Sequence, residues 1–288
     1  MRPVDGPTPS GGAAARGAHG PADPPAGEDR ETRAADPAAR PRKPWPGMAH
    51  REVTGRILYT SRKPGAEGVA RGFEEFRFTH HSDGRVTLRA HCCIEEPAPT
   101  VMRDIIYSLD EAGRPFDCLV RLTVGDRFLG SGLIHFEHDR GLVHCTSHGP
   151  AIGRLSQTLE IGAGLDGFGT HPIAGDAYLT RCLDVGRGPH RRTIRCLLPS
   201  ADHRGATAPM LAEVRIGLAY LGDAEVETEA GRFACHHFRF LDDEGPGMGG
   251  TPHPPYDLWT TADSDRIFVQ GGVGGAMATW YELVALRR

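Results

Sequence analysis

The chain has 288 residues, a formal net charge of −4 and 24% charged side chains, a composition typical of a globular protein with one large domain plus extra segments. This weakly acidic balance excludes an extended basic surface, so we expect no nucleic-acid partner. Lys43 and Lys63 are the only lysines. A Schiff-base enzyme, a pyridoxal-phosphate enzyme and a Walker A loop are therefore excluded from the region after Lys63.

Residues 1–47 differ in composition from the rest of the chain. They hold 10 of the 23 prolines and almost no large apolar side chain besides Val4 and Trp45. Such a segment buries too little surface to offset its chain entropy, so we predict a disordered tail and a single domain over residues 48–288. The tail has no apolar stretch and mixes acids with arginines, which argues against a signal or transit peptide.

From residue 50 onward, apolar side chains recur with the period of two that is typical of β-strands. In residues 87–95, for example, Leu88, Ala90, Cys92 and Ile94 share one face. Similar runs occupy residues 52–60, 70–80, 101–109, 116–124, 127–137, 141–148, 191–198, 210–221, 232–241, 256–261, 266–270 and 277–286. Short turn sequences such as Ser82-Asp-Gly84 separate them, which predicts an antiparallel meander of about a dozen strands.

Only two stretches compete as helices, residues 174–183 and part of residues 208–221. An open twisted sheet rarely exceeds about ten strands, so this sheet should close or curve strongly. We therefore predict an all-β fold, a β-barrel or half-barrel with at most one or two short helices. An exposed edge of the sheet would allow a homodimer.

The C-terminal third contains three short motifs in a recognisable order. A Glu229-Ala-Gly-Arg-Phe233 turn, a Tyr256-Asp-Leu-Trp259 strand and a terminal Trp280-Tyr-Glu-Leu283 strand follow one another. This order resembles a group of uncharacterised bacterial all-β domains, whose fold is similar to the lipoprotein-carrier half-barrels. The resemblance implies a curved antiparallel sheet around an apolar cavity, and it carries no catalytic residue over to this chain.

The cysteines indicate the redox environment. They number seven and show no C-x-x-C spacing, and most of them lie within apolar runs. Because the chain has no export signal, this pattern predicts reduced, buried thiols in a cytoplasmic protein without a membrane partner.

Two patterns that often mark cofactor or metal sites lack their structural context here. Gly162-Ala-Gly-Leu-Asp-Gly167 matches a dinucleotide-binding pattern, but Pro172 opposes the helix that such a site needs, so a loop explains these glycines better. Among the fifteen histidines, the spacing of His144 and His148 places both on one strand face, whereas adjacent histidines and pairs three apart do not share one. We predict no cofactor and no metal.

The leading site prediction falls on residues 152–176, because a long irregular, glycine-rich segment in a compact β-domain is usually functional or mobile. His171 is a candidate general acid or base, with Asp176 or Asp104 orienting it. The structural alternative is that His171 and Pro172 cap the following helix and that Asp176 is solvated.

Polar and aromatic side chains on the strands form a second set of candidates. Arg103 and Asp104 are adjacent in an apolar strand, so one of them should face the interior. An inward charge needs a mate, such as Asp257, Glu282 or the ligand; a surface salt bridge is the ordinary alternative. The other candidates are Arg154 and Gln157 as ligand hydrogen-bonding residues, Tyr107 as a catalytic residue, and Phe168, Trp259 and Tyr281 as cavity walls that are equally good core residues.

Two functions fit these observations, and both need a small-molecule ligand. The first is a cofactor-independent lyase, isomerase or hydrolase acting on a small apolar or aromatic metabolite, with His171 as acid or base and Arg103, Arg154 or Tyr107 stabilising negative charge. The second is a non-catalytic carrier or sensor of a hydrophobic molecule. The many titratable groups near the glycine-rich loops favour the enzyme. A solvent-exposed His171 would favour the carrier.

Overall fold

The computed structural model describes residues 50–162, 164–202, 204–242, 252–275 and 277–288; the predicted tail, residues 1–47, lies outside them. The strands of the described part are β1 (Arg51–Ser61), β2 (Ala70–His80), β3 (Val86–Ile94), β4 (Val101–Leu109), β5 (Pro115–Val124), β6 (Arg127–Glu137), β7 (Leu142–Gly149), β8 (Gly153–Glu160), β9 (Gly167–Phe168), β10 (His190–Leu198), β11 (Ala212–Thr228), β12 (Gly231–Leu241), β13 (Tyr256–Thr261), β14 (Phe268–Val273) and β15 (Thr279–Arg287). The helix α1 spans Ile173–Leu179, and 3-10 turns occupy His138–Arg140, Thr180–Cys182 and Val185–Arg187.

All of these strands belong to one sheet in the order β8-β7-β6-β5-β4-β3-β2-β1-β15-β14-β13-β12-β11-β10-β9. Neighbouring strands are antiparallel except β9 and β10, which are parallel. The strand β1 pairs with β15, so the two halves of the sequence join in the middle of the sheet. The sheet is curved and not closed, which confirms the predicted all-β meander in its half-barrel form.

The period of two in the sequence becomes the two faces of this curved sheet. In β4, Val101, Arg103, Ile105, Tyr107 and Leu109 are buried, while the alternate side chains are exposed or half-buried. The inward side chains of nearly all strands meet in one large apolar cluster. The inner face of the sheet is therefore the core of the protein.

Side chains join the two ends of the sheet along what we call the seam. The Oε1 atom of Gln157 on β8 accepts a hydrogen bond from the Leu211 amide at 2.8 Å. Nη1 of Arg195 on β10 donates to the Ile161 carbonyl at 2.7 Å. These contacts hold the edges of the sheet together without a continuous backbone ladder.

The helix α1 covers the inside of the sheet close to the predicted position. Its N-terminus is capped by Glu74, a residue of β2, whose carboxylate accepts hydrogen bonds from the amides of Ile173 at 2.6 Å and Ala174 at 2.9 Å. Lower down, the ring of Tyr178 stacks on Phe78 with centroids 4.7 Å apart. The helix is therefore fixed to β2 at both ends, and Glu74 provides the cap that was predicted for His171 and Pro172.

Several local predictions need correction. Residues 153–160, expected to be irregular, form the edge strand β8, whose polar residues occur on both faces. The strand β11 continues to Thr228, beyond the predicted end at residue 221.

All seven cysteines are free thiols, and six of them are buried, as expected. No helix in the described residues has the length and apolar character needed to cross a membrane.

Candidate functional site

A cavity of about 310 Å³ lies between the inner face of the sheet and α1. Both halves of the sheet contribute to its wall. The lining residues are Tyr59, Lys63, Arg71, Ile94, Glu96, Pro97, Arg103, Gly169, His171, Ile173, Asp176, Leu179, Cys196, Leu198, Arg204, Val214, Ile216, Phe240, Asp242, His253, Tyr256, Val273, Met277, Thr279 and Tyr281. Apolar and aromatic side chains make up most of this set.

One wall of the cavity is a continuous row of aromatic rings from the strands β1, β15, β13 and β12. The Tyr59 and Tyr281 rings meet edge to face at 5.0 Å, and Tyr281 meets Tyr256 at 6.0 Å. The ring of Tyr256 then stacks on Phe240 at 5.7 Å. Such rings are rigid and offer apolar faces with few rotatable bonds, so they form a preorganised surface for an apolar or aromatic group.

Polar groups that strand pairing places side by side continue from this row, because the Tyr59 hydroxyl donates to Glu74 at 2.8 Å. Glu74 on β2 is paired with Cys92 on β3, and Cys92 is paired with Arg103 on β4. Arg103 has only 1% of its surface exposed. Its guanidinium donates to the Cys92 sulfur at 3.7 Å, to the Arg204 carbonyl at 3.0 Å and to the Gly205 carbonyl. A buried cation is thus held mainly by backbone oxygens.

The loop after β10 brings Arg103 and His171 together. Gly205 has a φ of +60°, and a Cβ atom added there would clash with the Arg103 guanidinium and lie 2.8 Å from Cδ2 of His171. His171 itself has a φ of 71°, an uncommon conformation for a residue with a side chain. The glycine therefore allows the side chains of Arg103 and His171 to approach the same loop.

Two carboxyls beneath the cavity have raised pKa values. Burial raises the pKa of Glu74 to about 7, although three hydrogen bonds to its carboxylate and the charge of Arg103 oppose the rise. Burial, followed by repulsion from Glu74, raises the pKa of Asp176 well above its usual value. The protonated form of Asp176 is therefore favoured relative to a carboxyl in water, and this residue lines the cavity.

The hydroxyl of Tyr256 lies beside the Asp176 carboxyl and lowers its pKa, which counteracts part of the rise caused by burial. Tyr256 is 94% buried, since only 6% of its surface is exposed. Its hydroxyl makes no hydrogen bond of regular geometry within the described residues. Buried hydroxyls are normally satisfied; this one interacts with the Asp176 carboxyl and keeps further hydrogen-bonding capacity for a molecule in the cavity.

Charged residues at the solvent side of the cavity are mostly paired. Glu96 binds Lys63 Nζ at 2.9 Å and also binds Arg71. Arg71 is almost fully buried and donates further to the Met277 carbonyl at 2.5 Å and to the Thr279 hydroxyl. This cluster ties the loop after β1 to the loop before β15 and frames the cavity.

The structure brings four of the residues predicted from the sequence to this cavity: Arg103, His171, Asp176 and Tyr281. Either Arg103 or Asp104 was predicted to face the interior, and Arg103 is the residue that does so. Its mate was expected to be Asp257, Glu282 or the ligand. The protein atoms that it contacts are instead carbonyls and a thiol, because the loop at Gly205 covers it.

The remaining predicted residues lie elsewhere. Asp104 is on the outer face, 2.7 Å from His91 Nδ1, so it is not placed to orient His171. Asp257 binds His237 at 2.7 Å and Arg239 at 2.9 Å, and Trp259 stacks on His237 at 4.1 Å. These side chains lie on the outer, more exposed face of β12 and β13.

Four further predicted residues have contacts outside the cavity. The rings of Tyr107 and Phe168 pack against each other in the core, with centroids 5.6 Å apart. Arg154 is exposed on β8, where it is paired with His148, and Gln157 belongs to the seam. Their predicted roles in catalysis and ligand binding remain predictions.

The sequence interpretation missed Glu74, Arg71 and Tyr256. A signal for Glu74 was present, because it shares the alternation of Phe76 and Phe78 and therefore faces inward with them. Arg71 is harder to foresee, since a register shift near Tyr59 and Thr60 alters the pairing of this part of β2. Tyr256 is the first residue of β13, the strand in which the sequence analysis selected Trp259 as a candidate cavity residue.

Metal-ligating side chains do not gather in this part of the structure. Among the described residues, no group of three or more His, Cys, Asp or Glu side chains is arranged to hold a metal ion. His144 and His148, which the sequence spacing places on one strand face, have different partners. Nδ1 of His144 is 3.0 Å from the Thr158 hydroxyl, and the His148 ring stacks on Phe128.

Comparison with known proteins adds information about the fold. No protein-family model and no curated protein matches the sequence. The structure is similar to that of a beta-barrel-like protein of the domain of unknown function DUF1849 from Brucella abortus, with a TM-score of 0.53 and 15% identity, over 83% of this chain and 97% of that chain. This likeness agrees with the predicted bacterial all-β half-barrel.

Two further solved structures match less well. A protein assigned as a lipoprotein from Parabacteroides distasonis gives a TM-score of 0.29 at 7% identity, over 82% of this chain and 95% of that chain. A protein assigned as exported, with a YmcC-like fold, from Bacteroides fragilis gives 0.28 at 8% identity over the same shares. These scores are too low to support an argument about this chain, so the cytoplasmic location stays a prediction. The conclusion from the comparisons is that the chain has a beta-barrel-like fold.

Proposed function

We propose that this protein binds a small, largely apolar molecule in the cavity of its curved sheet and acts as a carrier or sensor of it. The observation that supports this most is the cavity itself. Its volume of about 310 Å³ lies at the lower end of the range of small-molecule sites, about 300–1,000 Å³. Its combination of apolar walls with a few converging polar groups is also typical of such sites.

The internal groups of the cavity favour a bound molecule over an empty space. The row from Tyr59 to Phe240 presents ring faces, and the Tyr256 hydroxyl has no regular hydrogen bond in the described part of the chain. A ligand with one polar end would satisfy the hydroxyl and cover the rings at the same time. A carrier needs no reacting group, so these features suffice for it.

The proposal is tested by titrating the protein with the neutral fluorescent probe N-phenylnaphthylamine. We expect saturable binding with one site per chain. Ile216→Trp places an indole in the cavity, because Ile216 lines it, and should weaken binding at least about tenfold. Leu119→Trp is the matched control, since Leu119 is 47% exposed on the outer face, and should bind as the parent protein does. Equal binding by Ile216→Trp, or no saturable binding, would contradict the proposal.

A second candidate is acid–base catalysis in the same cavity, favoured by one observation. Burial raises the pKa of Asp176 well above its usual value, and Glu74, with a pKa of about 7, can take up or release a proton nearby. Such a pair, with His171 in the same wall, suits an isomerase or lyase that moves a proton on its substrate.

Proton transfer can be tested without knowing the substrate. A catalytic site would exchange carbon-bound hydrogen of small carbonyl compounds for deuterium in heavy water, as followed by NMR. The Asp176→Asn variant should keep probe binding and lose the exchange. Absence of exchange by the parent protein across a panel of such compounds would count against catalysis and leave the carrier proposal intact.

A further inference from the structure

Arg103 is a buried cation in the cavity wall that lacks an anionic partner in the described part of the chain. Its guanidinium donates to the thiol of Cys92 and to the carbonyls of Arg204 and Gly205. These are neutral acceptors. Taking a charge out of water is costly unless an opposite charge compensates it, so a site of this kind favours a bound anion.

The other basic side chains of the wall differ in this respect. Lys63 and Arg71 share the Glu96 carboxylate as an ion-pair partner. Arg204 resembles Arg103, because it donates to the Pro97 carbonyl at 2.6 Å and the Pro99 carbonyl at 3.1 Å. Arg103 and Arg204 are therefore the two arginines of the wall whose hydrogen bonds, within the described residues, go to neutral acceptors.

Two buried acidic residues near the cavity have raised pKa values, which weakens their repulsion of an anion. The pKa of Glu74 is about 7, although the charge of Arg103 opposes its rise. Burial raises the pKa of Asp176 well above its usual value, and the protonated form of this carboxyl is a hydrogen-bond donor. The Tyr256 hydroxyl beside it is a second donor. Arg103, the protonated form of Asp176 and the Tyr256 hydroxyl, which can all donate to a carboxylate, thus line the same cavity as the aromatic row.

We propose that the ligand of this cavity is a small organic acid, in which a carboxylate that pairs with Arg103 is attached to an apolar body that packs on the aromatic row. This inference rests on the proposed binding function and names its ligand class. A planar carboxylate matches the donor edge of a guanidinium, and such charge-assisted hydrogen bonds are stronger than neutral ones.

The test compares two molecules that differ only in charge, naphthaleneacetic acid and its primary amide. Each is titrated at neutral pH as a competitor of N-phenylnaphthylamine on the parent protein. We expect the acid to bind about ten- to a hundredfold more tightly than the amide, because the amide cannot pair with the guanidinium charge.

Variants assign this preference to Arg103. Arg103→Gln should bring the affinity for the acid down to that for the amide and leave the amide unchanged, and Arg103→Lys should keep part of the preference. Arg121→Gln is the control, because Arg121 is exposed and lies over Phe128 on the outer face; it should behave as the parent protein.

The outcomes separate this inference from the proposed function. If acid and amide displace the probe equally well from the parent protein, or if Arg103→Gln keeps the preference, the ligand class is wrong while the binding function stands. If neither molecule nor the probe binds, both fail together. Should Arg103→Gln not fold, the comparison of acid and amide on the parent protein and on Arg103→Lys still decides.

Discussion

Glu74 is the residue in which folding and the site are most closely linked. Its carboxylate caps α1 and also accepts a hydrogen bond from the Tyr59 hydroxyl at 2.8 Å. Burial nevertheless raises its pKa from 4.5 to about 7. The folded protein therefore binds this proton more tightly than the unfolded chain does, and the stabilisation from Glu74 is present below about pH 4.5 and lost as the pH rises towards 7.

This residue provides a pH-dependent prediction. The Glu74→Gln variant should match the parent protein in stability near pH 4.5 and gain relative to it as the pH rises to about 7.5, by up to about 3 kcal/mol. Denaturant unfolding at several pH values measures the difference. His80, whose pKa is lowered by burial, shifts stability in the opposite direction in both proteins, and its contribution cancels in the comparison. A difference that does not change with pH would contradict the assignment.

Gly205 gives a second prediction at this scale, because it separates Arg103 from His171. Gly205→Ala should lose about 1–3 kcal/mol of stability, from the clash with Arg103 and from a side chain in the left-handed region. It should also weaken the preference for the organic acid. Gly188→Ala is a suitable control, since Gly188 has a φ of +72° and open space around it. Equal losses in both variants would show that the close approach to Arg103 has no effect.

Single residues also show where sequence-based inference stops. Alternation in β4 predicts that either Arg103 or Asp104 faces inward, and the apolar residues that share the face of Arg103 are the buried ones. The groups that surround Arg103 are not predictable in this way. They come from a loop more than 90 residues further along the chain, and only the curvature of the sheet brings that loop over β4.

At the scale of elements, the strands with one buried face were predictable almost to their ends. Those with a weaker pattern were not. In β8, the polar Gln157 lies between Leu155 and Leu159 on the less exposed face, and no residue is fully buried. The apolar alternation of this strand is therefore weak. β9 has only two residues. The site prediction centred on residues 152–176 was therefore partly right: His171 and Asp176 belong to the cavity wall, while Arg154 and Gln157 belong to an edge strand.

The seam supplies a prediction for β8. Gln157→Leu removes the acceptor of the Leu211 amide, and leaving a buried amide unpaired should cost about 1–3 kcal/mol. Ser156→Leu is the neighbouring control, since Ser156 is exposed, and should change stability by less than about 0.5 kcal/mol. Urea unfolding compares the two variants. A Gln157→Leu protein as stable as the control would mean that the seam does not hold the edges of the sheet.

At the scale of the whole molecule, the sequence predicted a barrel or half-barrel, and the half-barrel is observed. The number of strands indicates that a sheet must curve, but it does not determine whether the last strands pair. Here the edge strands β8 and β9 follow one another in the chain, and a side chain of β8 binds the amide of Leu211 just before β11. The cavity is a product of this curvature, because residues from both halves of the sheet line it. No single segment of the sequence contains that information.

The central claim, that the cavity inside the curved sheet is the ligand site, is tested most directly by methyl NMR during titration with the neutral probe N-phenylnaphthylamine. We predict saturable shifts of the methyl groups of Ile94, Ile216 and Val273, which line the cavity. On the outer face, Ile106, Leu119 and Leu133 form an exposed apolar row on adjacent strands, and their methyl signals should not move. Shifts confined to that outer row, or no saturable shift in the cavity, would contradict the claim.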